Sequence, residues 1–332
     1  MFFNTKVMDI KRGEKFRLLG RPYYIDDVPN FTWSNSGIEF TARFDRLTVF
    51  FGTNPIEQPV LFKIFVDNRE YKTSVAGSQV TAVIENLREK VYTVKILRIS
   101  EGANKVPVEK VQIYGKNPDF FDAPKEKKLK LEFVGDSITA GFGVLADGAK
   151  MDYTTYEQDS TKTYAYLTAK ALDADIRTIC ISGQGICHSC GDFVGTTFVN
   201  FFNKTSHGAD DCIDDDYVPD VFIINGGTND KRVHVSSDEF RLGVKNLLSA
   251  VRAKYPKTPI VWMYGMMMHV FDEELKDAIA EFNETDKNTF VLIVKAANEY
   301  KNQIGTCGHP NVNASVRCSK ILVRKIRELL GL

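Results

Sequence analysis

Residues Leu129-Lys130-Leu131-Glu132-Phe133-Val134-Gly135-Asp136-Ser137-Ile138-Thr139-Ala140-Gly141 decide how the chain is read. A largely apolar run of strand length stops at Gly135, and a short helix-compatible stretch follows between two glycines. A run of this kind, bounded by turn residues, is the mark of a strand buried on both faces. Comparable runs recur at 176–182, 220–225, 260–265 and 289–294. Helical patterns lie between or after them. Ser236 and Glu239 make a capping box ahead of Phe240, Val244, Leu247, Leu248 and Val251. Leu275, Ile279 and Phe282 repeat the spacing, and Ile321, Leu322, Ile326 and Leu329 mark a last helix from about Ala314. Five buried strands alternating with helices predict an α/β domain over residues 129–332, with a five-stranded, mostly parallel sheet. Ligands in such sheets sit beyond the carboxyl ends of the strands. The loops at 135–143, 183–191, 226–232, 265–270 and 305–311 are therefore expected to converge.

Upstream the texture differs. Ile38, Phe40, Ala42 and Phe44 alternate with Glu39, Thr41 and Arg43, and Leu47, Val49 and Phe51 continue the period of two. Phe62, Ile64 and Val66 alternate again, as do Tyr92, Val94 and Ile96. Many short alternating strands predict an all-β sandwich or jelly roll over residues 1–118. Residues 116–128 are polar, carry two prolines and end in Lys125-Glu126-Lys127-Lys128, which reads as a linker. Two domains also suit a length of 332 residues.

Charge excludes some partners. The 43 Lys and Arg residues balance 43 Asp and Glu residues. Binding to nucleic acid draws on surplus Lys and Arg, and so does a polybasic membrane anchor. Neither nucleic acid nor membrane is an expected partner. Hydrophobic residues at 43% and charged residues at 26% suit a globular chain. The stretch Met1-Phe2-Phe3-Asn4-Thr5-Lys6-Val7 lacks the basic and apolar regions of a secretory signal, so a cytoplasmic location is expected. The six cysteines, all in the second half, read as free thiols of a reducing compartment. Cys187-His188-Ser189-Cys190 looks like half of a zinc site, but a second pair at zinc-finger spacing is absent, so neither metal nor cofactor is expected.

The strand-end loops hold the unusual residues. Ser137, directly after a buried strand and at the start of a helix, points its hydroxyl into the strand-end crevice, where backbone N–H groups favour developing negative charge. A plain helix cap explains the same serine. Gly183, in Ser182-Gly183-Gln184-Gly185, lets a ligand approach the backbone N–H closely, or simply makes a turn. Asn229, in Gly226-Gly227-Thr228-Asn229-Asp230, can donate to an oxyanion, although Gly and Asn are also ordinary turn residues. His309, in Gly305-Thr306-Cys307-Gly308-His309-Pro310-Asn311, precedes the last helix and can reach the first loop. Rival motifs fail. The 135–141 loop lacks the Lys-Ser/Thr of a P-loop, Gly183-Gln184-Gly185 lacks a third glycine, and Thr139 stands where a Gly-x-Ser-x-Gly elbow needs glycine.

Gly135-Asp136-Ser137-Ile138, Gly183, Gly227-Thr228-Asn229-Asp230 and His309 resemble, in order, the four blocks of SGNH (GDSL-type) hydrolases. The resemblance covers residues 129–332 and implies a five-stranded parallel, flavodoxin-like domain. With an all-β domain ahead of it, and with Trp33-Ser34-Asn35-Ser36-Gly37 and Tyr264-Gly265-Met266-Met267, the chain resembles the bimodular carbohydrate esterase family 2. Members of that family remove acetyl groups from plant polysaccharides. The resemblance implies Ser137 as nucleophile, His309 as general base, and an oxyanion hole from the Ser137 and Gly183 N–H groups and the Asn229 side chain. It implies no cofactor and an acetylated xylo-, manno- or gluco-oligosaccharide as partner. Lipid or thioester acyl hydrolysis and non-catalytic sugar binding are the alternatives. SGNH enzymes place Asp three residues before the histidine, where this chain has Thr306. Family 2 esterases include Ser-His dyads held by a backbone carbonyl, and a dyad is the expectation here, with the Thr306 side chain dispensable; an acid contributed from elsewhere in the chain is the alternative. Asp136, Asp230, Met267 and Trp33 are expected to contact substrate, whereas Trp262, inside a strand, reads as core. Tyr153 and Tyr156 are candidates to close over it.

Overall fold

The period-two runs of the first half pair into two antiparallel sheets of six strands each. This computed structural model describes residues 4–11, 15–54, 58–148, 150–190, 196–232 and 234–332. The chain divides into two units. The first runs to Glu126 and includes Thr205–Gly208, while the second holds Lys127–Lys204 and Ala209–Leu332.

In the first unit, Gly37–Phe44 pairs with Lys90–Arg98, and that sheet continues through Val60–Val66 to Arg69–Val75. Arg46–Phe51 pairs with Val106–Gly115 and Val80–Ile84 in the other. Alternate side chains point inward, so Phe40, Ala42, Phe44, Val94 and Ile96 share one core with Leu47, Val49, Phe51, Val111 and Ile113. The rings of Phe51 and Phe62, on different sheets, lie 4.7 Å apart. The register of Val106–Gly115 slips between Val108 and Lys110. This bulge resets the alternation, so Val106 and Val108 and then Val111 and Ile113 all face the core. Asp119–Phe120, in the stretch whose composition reads as a linker, pairs with Gly37–Phe44 and so extends the sheet. Thr205–Gly208 completes the unit. The Trp33 indole N–H donates to the Thr205 carbonyl at 3.1 Å, and the His207 backbone N–H donates to Thr32 Oγ1 at 3.1 Å.

The second unit is built on five parallel strands at the five apolar runs. Their spatial order is Ala174–Cys180, Leu129–Gly135, Val221–Asn225, Ile260–Tyr264 and Thr289–Ile293. In chain order this is 2-1-3-4-5, the flavodoxin-like arrangement. Leu131, Phe133, Ile223 and Met263 pack on one face against Tyr164 and Ala165 of helix Tyr164–Ala171 and Leu322 and Ile326 of helix Val312–Leu330. On the other face the ring of Phe222 meets Phe202 and Tyr255. Helix Ser237–Lys254 buries Phe240, Val244, Leu247, Leu248 and Val251 and packs beside helix Asp272–Phe282. Its capping box from Ser236 to Glu239 is formed, and Trp262 is core. The last helix starts at Val312, because Asn311 caps the N–H groups of Asn313 and Ala314.

Phe51→Ala deletes a ring at the cross-sheet contact and should lower the stability of the sandwich by about 3–5 kcal/mol. The shift of the urea unfolding midpoint measures it. A change below about 1 kcal/mol contradicts the packing described.

Candidate active site

The site begins at Gly135, the last residue of the central strand Leu129–Gly135. A Cβ there would lie 2.0 Å from Thr139 Oγ1 and 2.6 Å from Thr139 Cβ, so only glycine lets the chain fold back over the strand end. Asp136 then caps the turn, accepting from the Ile138 N–H at 2.9 Å. The turn Ser137–Ala140 is a single helical turn, closed by Gly141 at φ +86°. The helix expected to start at Ser137 is thus one turn long. A single turn sums few peptide dipoles, so local backbone geometry is what this turn offers.

Ser137 Oγ lies 2.8 Å from His309 Nε2. His309 Nδ1 lies 3.1 Å from the Thr306 carbonyl oxygen, which can only accept. That contact puts the imidazole proton on Nδ1 and leaves Nε2 to accept from the serine hydroxyl. Serine and histidine are both buried, at 7% and 8% exposure. Phe142 packs 4.7 Å from the His309 ring, and Tyr153 stacks on Phe142 at 3.6 Å. The imidazole is thus held by a hydrogen bond at one edge and by an aromatic ring. The turn that carries it, Thr306–Gly308, puts Cys307 at φ +53°, a left-handed conformation that costs a non-glycine residue roughly 1–3 kcal/mol. Outside contacts hold it there. The Cys307 N–H donates to the Lys150 carbonyl at 2.7 Å, and the Gly305 N–H donates to the His309 carbonyl at 2.7 Å.

From the other side of the central strand comes the turn Thr228–Arg232. Asn229 Nδ2 donates to the Gln184 carbonyl at 2.8 Å and lies 3.4 Å from Asp136 Oδ2. The amide thereby ties together the loops after three strands. Asp230 is wholly buried and accepts from the N–H groups of Cys187 at 2.7 Å, Ile186 at 2.8 Å and His188 at 3.3 Å. Burial pushes its carboxyl above the ordinary range, and the three N–H donors work against that shift. Gly183, just upstream, takes φ +79°, where a side chain is disfavoured.

The structure thus brings Ser137, His309, Asn229 and the Gly183 loop together. Met267 lies beside them, with its Cε 3.6 Å from where a Cβ on Gly308 would sit. Three residues expected to contact substrate are otherwise employed. Asp136 and Asp230 are wholly buried, and their carboxylates accept backbone N–H groups that burial would otherwise leave unpaired. Trp33 is 1% exposed, with its N–H spent on Thr205 and its ring beside His207, so it offers no open face for stacking. Tyr156 is exposed. Sequence reasoning missed Phe142, which has no motif beyond following Gly141. It also missed Glu157, which accepts from the Thr306 hydroxyl. None of the six cysteines is joined in a disulfide. Cys187 donates to the Glu239 carbonyl, burial pushes its thiol up to about 12, and Cys190 lies against Asn229. Among the described residues no cluster of His, Cys, Asp and Glu is arranged to hold a metal ion. Nor is any helix long and apolar enough to cross a membrane.

A parallel sheet in flavodoxin-like order, with a buried serine–histidine pair beyond its central strand, has the geometry of a serine hydrolase. The profile of the GDSL-like Lipase/Acylhydrolase family matches residues 133–303, just over half of the 332 residues. The chain belongs to that family. It is 27% identical over 322 residues to the cellulase/esterase CelE of Acetivibrio thermocellus, covering 91% of this chain. The chain spans 38% of that relative's own length. In fold it is similar to an acetyl xylan esterase, Est2A, from the rumen bacterium Butyrivibrio proteoclasticus, with a TM-score of 0.89 at 18% identity over 98% of this chain and 99% of that one. A family two carbohydrate esterase from Clostridium thermocellum in complex with cellohexaose gives 0.85 at 24% identity over 95% and 99%.

Asp230→Ala removes the acceptor of three backbone N–H groups. Hydrogen–deuterium exchange at Ile186, Cys187 and His188 should quicken roughly 10- to 100-fold, the worth of charge-assisted bonds of about 1.5–3 kcal/mol. Unchanged exchange contradicts the clamp.

Proposed function

We propose that this chain is a carbohydrate acetyl esterase that releases acetyl groups from plant-type oligosaccharides through an acetyl-Ser137 intermediate. The observation that carries the reading is the 2.8 Å approach of Ser137 Oγ to His309 Nε2, with Nδ1 held by the Thr306 carbonyl. In the first half-reaction Oγ bonds to the acetyl carbonyl carbon and its proton passes to Nε2. The tetrahedral oxyanion is met by the Ser137 and Gly183 N–H groups and by Asn229 Nδ2. Its collapse breaks the bond to the sugar oxygen, which takes the proton from Nε2. Water then repeats the sequence on acetyl-Ser137 and acetate leaves. A carbonyl fixes the tautomer of His309 but stabilises imidazolium less than a carboxylate would, so the preorganised donors bear more of the load.

The substrate class draws support from the relatives. One is named a cellulase/esterase, one an acetyl xylan esterase, and one is a carbohydrate esterase in complex with cellohexaose. The family name, lipase/acylhydrolase, keeps a second reading in view, hydrolysis of longer acyl chains on lipids or thioesters.

Ser137→Ala should reduce p-nitrophenyl acetate hydrolysis by about four orders of magnitude or more, and retained activity refutes the nucleophile. Asn229→Ala should cost roughly 100- to 1,000-fold in kcat, read in the same assay. Mass spectrometry of acetylated xylo-, manno- and gluco-oligosaccharides should show loss of acetyl. Faster turnover of p-nitrophenyl octanoate than of the acetate would favour the lipid reading.

A further inference from the structure

Thr306 lies three residues before His309, and an idle Thr306 side chain does not fit its surroundings. The residue is wholly buried, and its hydroxyl donates to Glu157 Oε2 at 2.9 Å. The carboxylate of Glu157 is 16% exposed and pairs through its other oxygen with Lys150 Nζ. It also accepts the Thr154 N–H at 3.4 Å. Burial favours the neutral acid, but the bonds from Lys150, Thr306 and Thr154 outweigh it and hold the carboxyl below its ordinary range. The stretch that supplies Glu157 grips the histidine turn at further points. The Lys150 carbonyl accepts from the Cys307 N–H, the Met151 carbonyl accepts from the Cys307 thiol at 3.3 Å, and Gly143 O accepts from the Thr306 N–H at 3.4 Å. Where the stretch and the turn meet there is no spare room, since a Cβ on Gly143 would lie 2.7 Å from Thr306 Cβ.

From this geometry we propose that Glu157 is a positioning residue for the general base, acting through the Thr306 hydroxyl to hold the carbonyl that fixes His309. The acid missing from the position three before His309 is thus supplied from another loop. It reaches the backbone that carries the imidazole instead of the imidazole itself. Hydroxyl and carbonyl belong to the same residue, so tethering the side chain to a fixed carboxylate limits rotation of the peptide whose oxygen receives Nδ1–H. The inference rests on Ser137 and His309 acting as nucleophile and base.

The test compares Thr306→Val, Thr306→Ser, Glu157→Ala and the Thr306→Val/Glu157→Ala double variant with wild type and Ser137→Ala. The readouts are kcat and KM for p-nitrophenyl acetate and the rate of covalent labelling by a fluorophosphonate. Circular dichroism melting checks folding. Thr306→Val and Glu157→Ala should each lower kcat and the labelling rate about 10- to 100-fold, as expected for a base displaced by a fraction of an ångström to an ångström. KM should stay within about twofold, as for a group that acts on the reacting residues and not on binding. The double variant should be no worse than the poorer single variant, and Thr306→Ser should keep activity within about threefold, because one shared contact is being removed or kept. Full kcat in Thr306→Val and Glu157→Ala, with Ser137→Ala inactive, overturns the inference alone. Multiplying losses in the double variant, or a Thr306→Ser as poor as Thr306→Val, overturns it too. Activity or labelling that survives in Ser137→Ala overturns the reading beneath it.

Discussion

Everything in the second unit depends on one strand being paired on both edges. Leu129–Gly135 is in parallel register with Ala174–Cys180 on one side and Val221–Asn225 on the other, so that Val134 faces Ile179 and Ile224. In a parallel sheet the chain must cross over between strands, and the crossovers on either side of this strand run in opposite directions. The loops beyond its end therefore part and leave a crevice. Ser137 falls at the mouth of that crevice, the Gly183 loop comes from one neighbouring strand, and Asn229 comes from the other. Hydrogen bonding along three adjacent strands, made long before any ligand arrives, sets their separation.

Within the crevice the polar groups divide their work. Asp136 and Asp230 are spent on backbone N–H groups, and their charge shapes loops. The Asn229 amide builds as well, since its Nδ2 lies within reach of both the Gln184 carbonyl and the Asp136 carboxylate and so ties the loops after three strands together. Ser137 and His309 face each other. Aromatic packing from Phe142 and Tyr153 then limits how the imidazole can tilt. A short polar motif thus contains two populations of residue, one that builds the loop and one that the loop presents.

That division explains what could be read in the sequence. The five parallel strands and the helix from Ser236 were legible because burial on both faces and capping are local signals, written in consecutive residues. The pairing of Ser137 with His309 was legible because each sits directly after or before a regular element. The parts that escaped depend on distant partners. Whether Asp136 and Asp230 point outward or cap backbone groups turns on loop geometry that no spacing encodes. Glu157 lies in a polar stretch with no periodicity, and only the folded chain brings it to Thr306. Trp33 is expected from the sequence to contact substrate, whereas in the folded chain its N–H finds an acceptor more than 170 positions later.

The same contact bears on how this chain can be cut and rearranged. Thr205–Gly208 belong structurally to the all-β unit, although the polypeptide has left that unit and formed two strands of the parallel sheet before supplying them. An all-β fragment ending at Glu126 would lack the acceptor of the Trp33 indole and the partner of the Thr32 hydroxyl. The first unit is therefore not a cassette that recombination can lift out at a single joint and splice onto another enzyme.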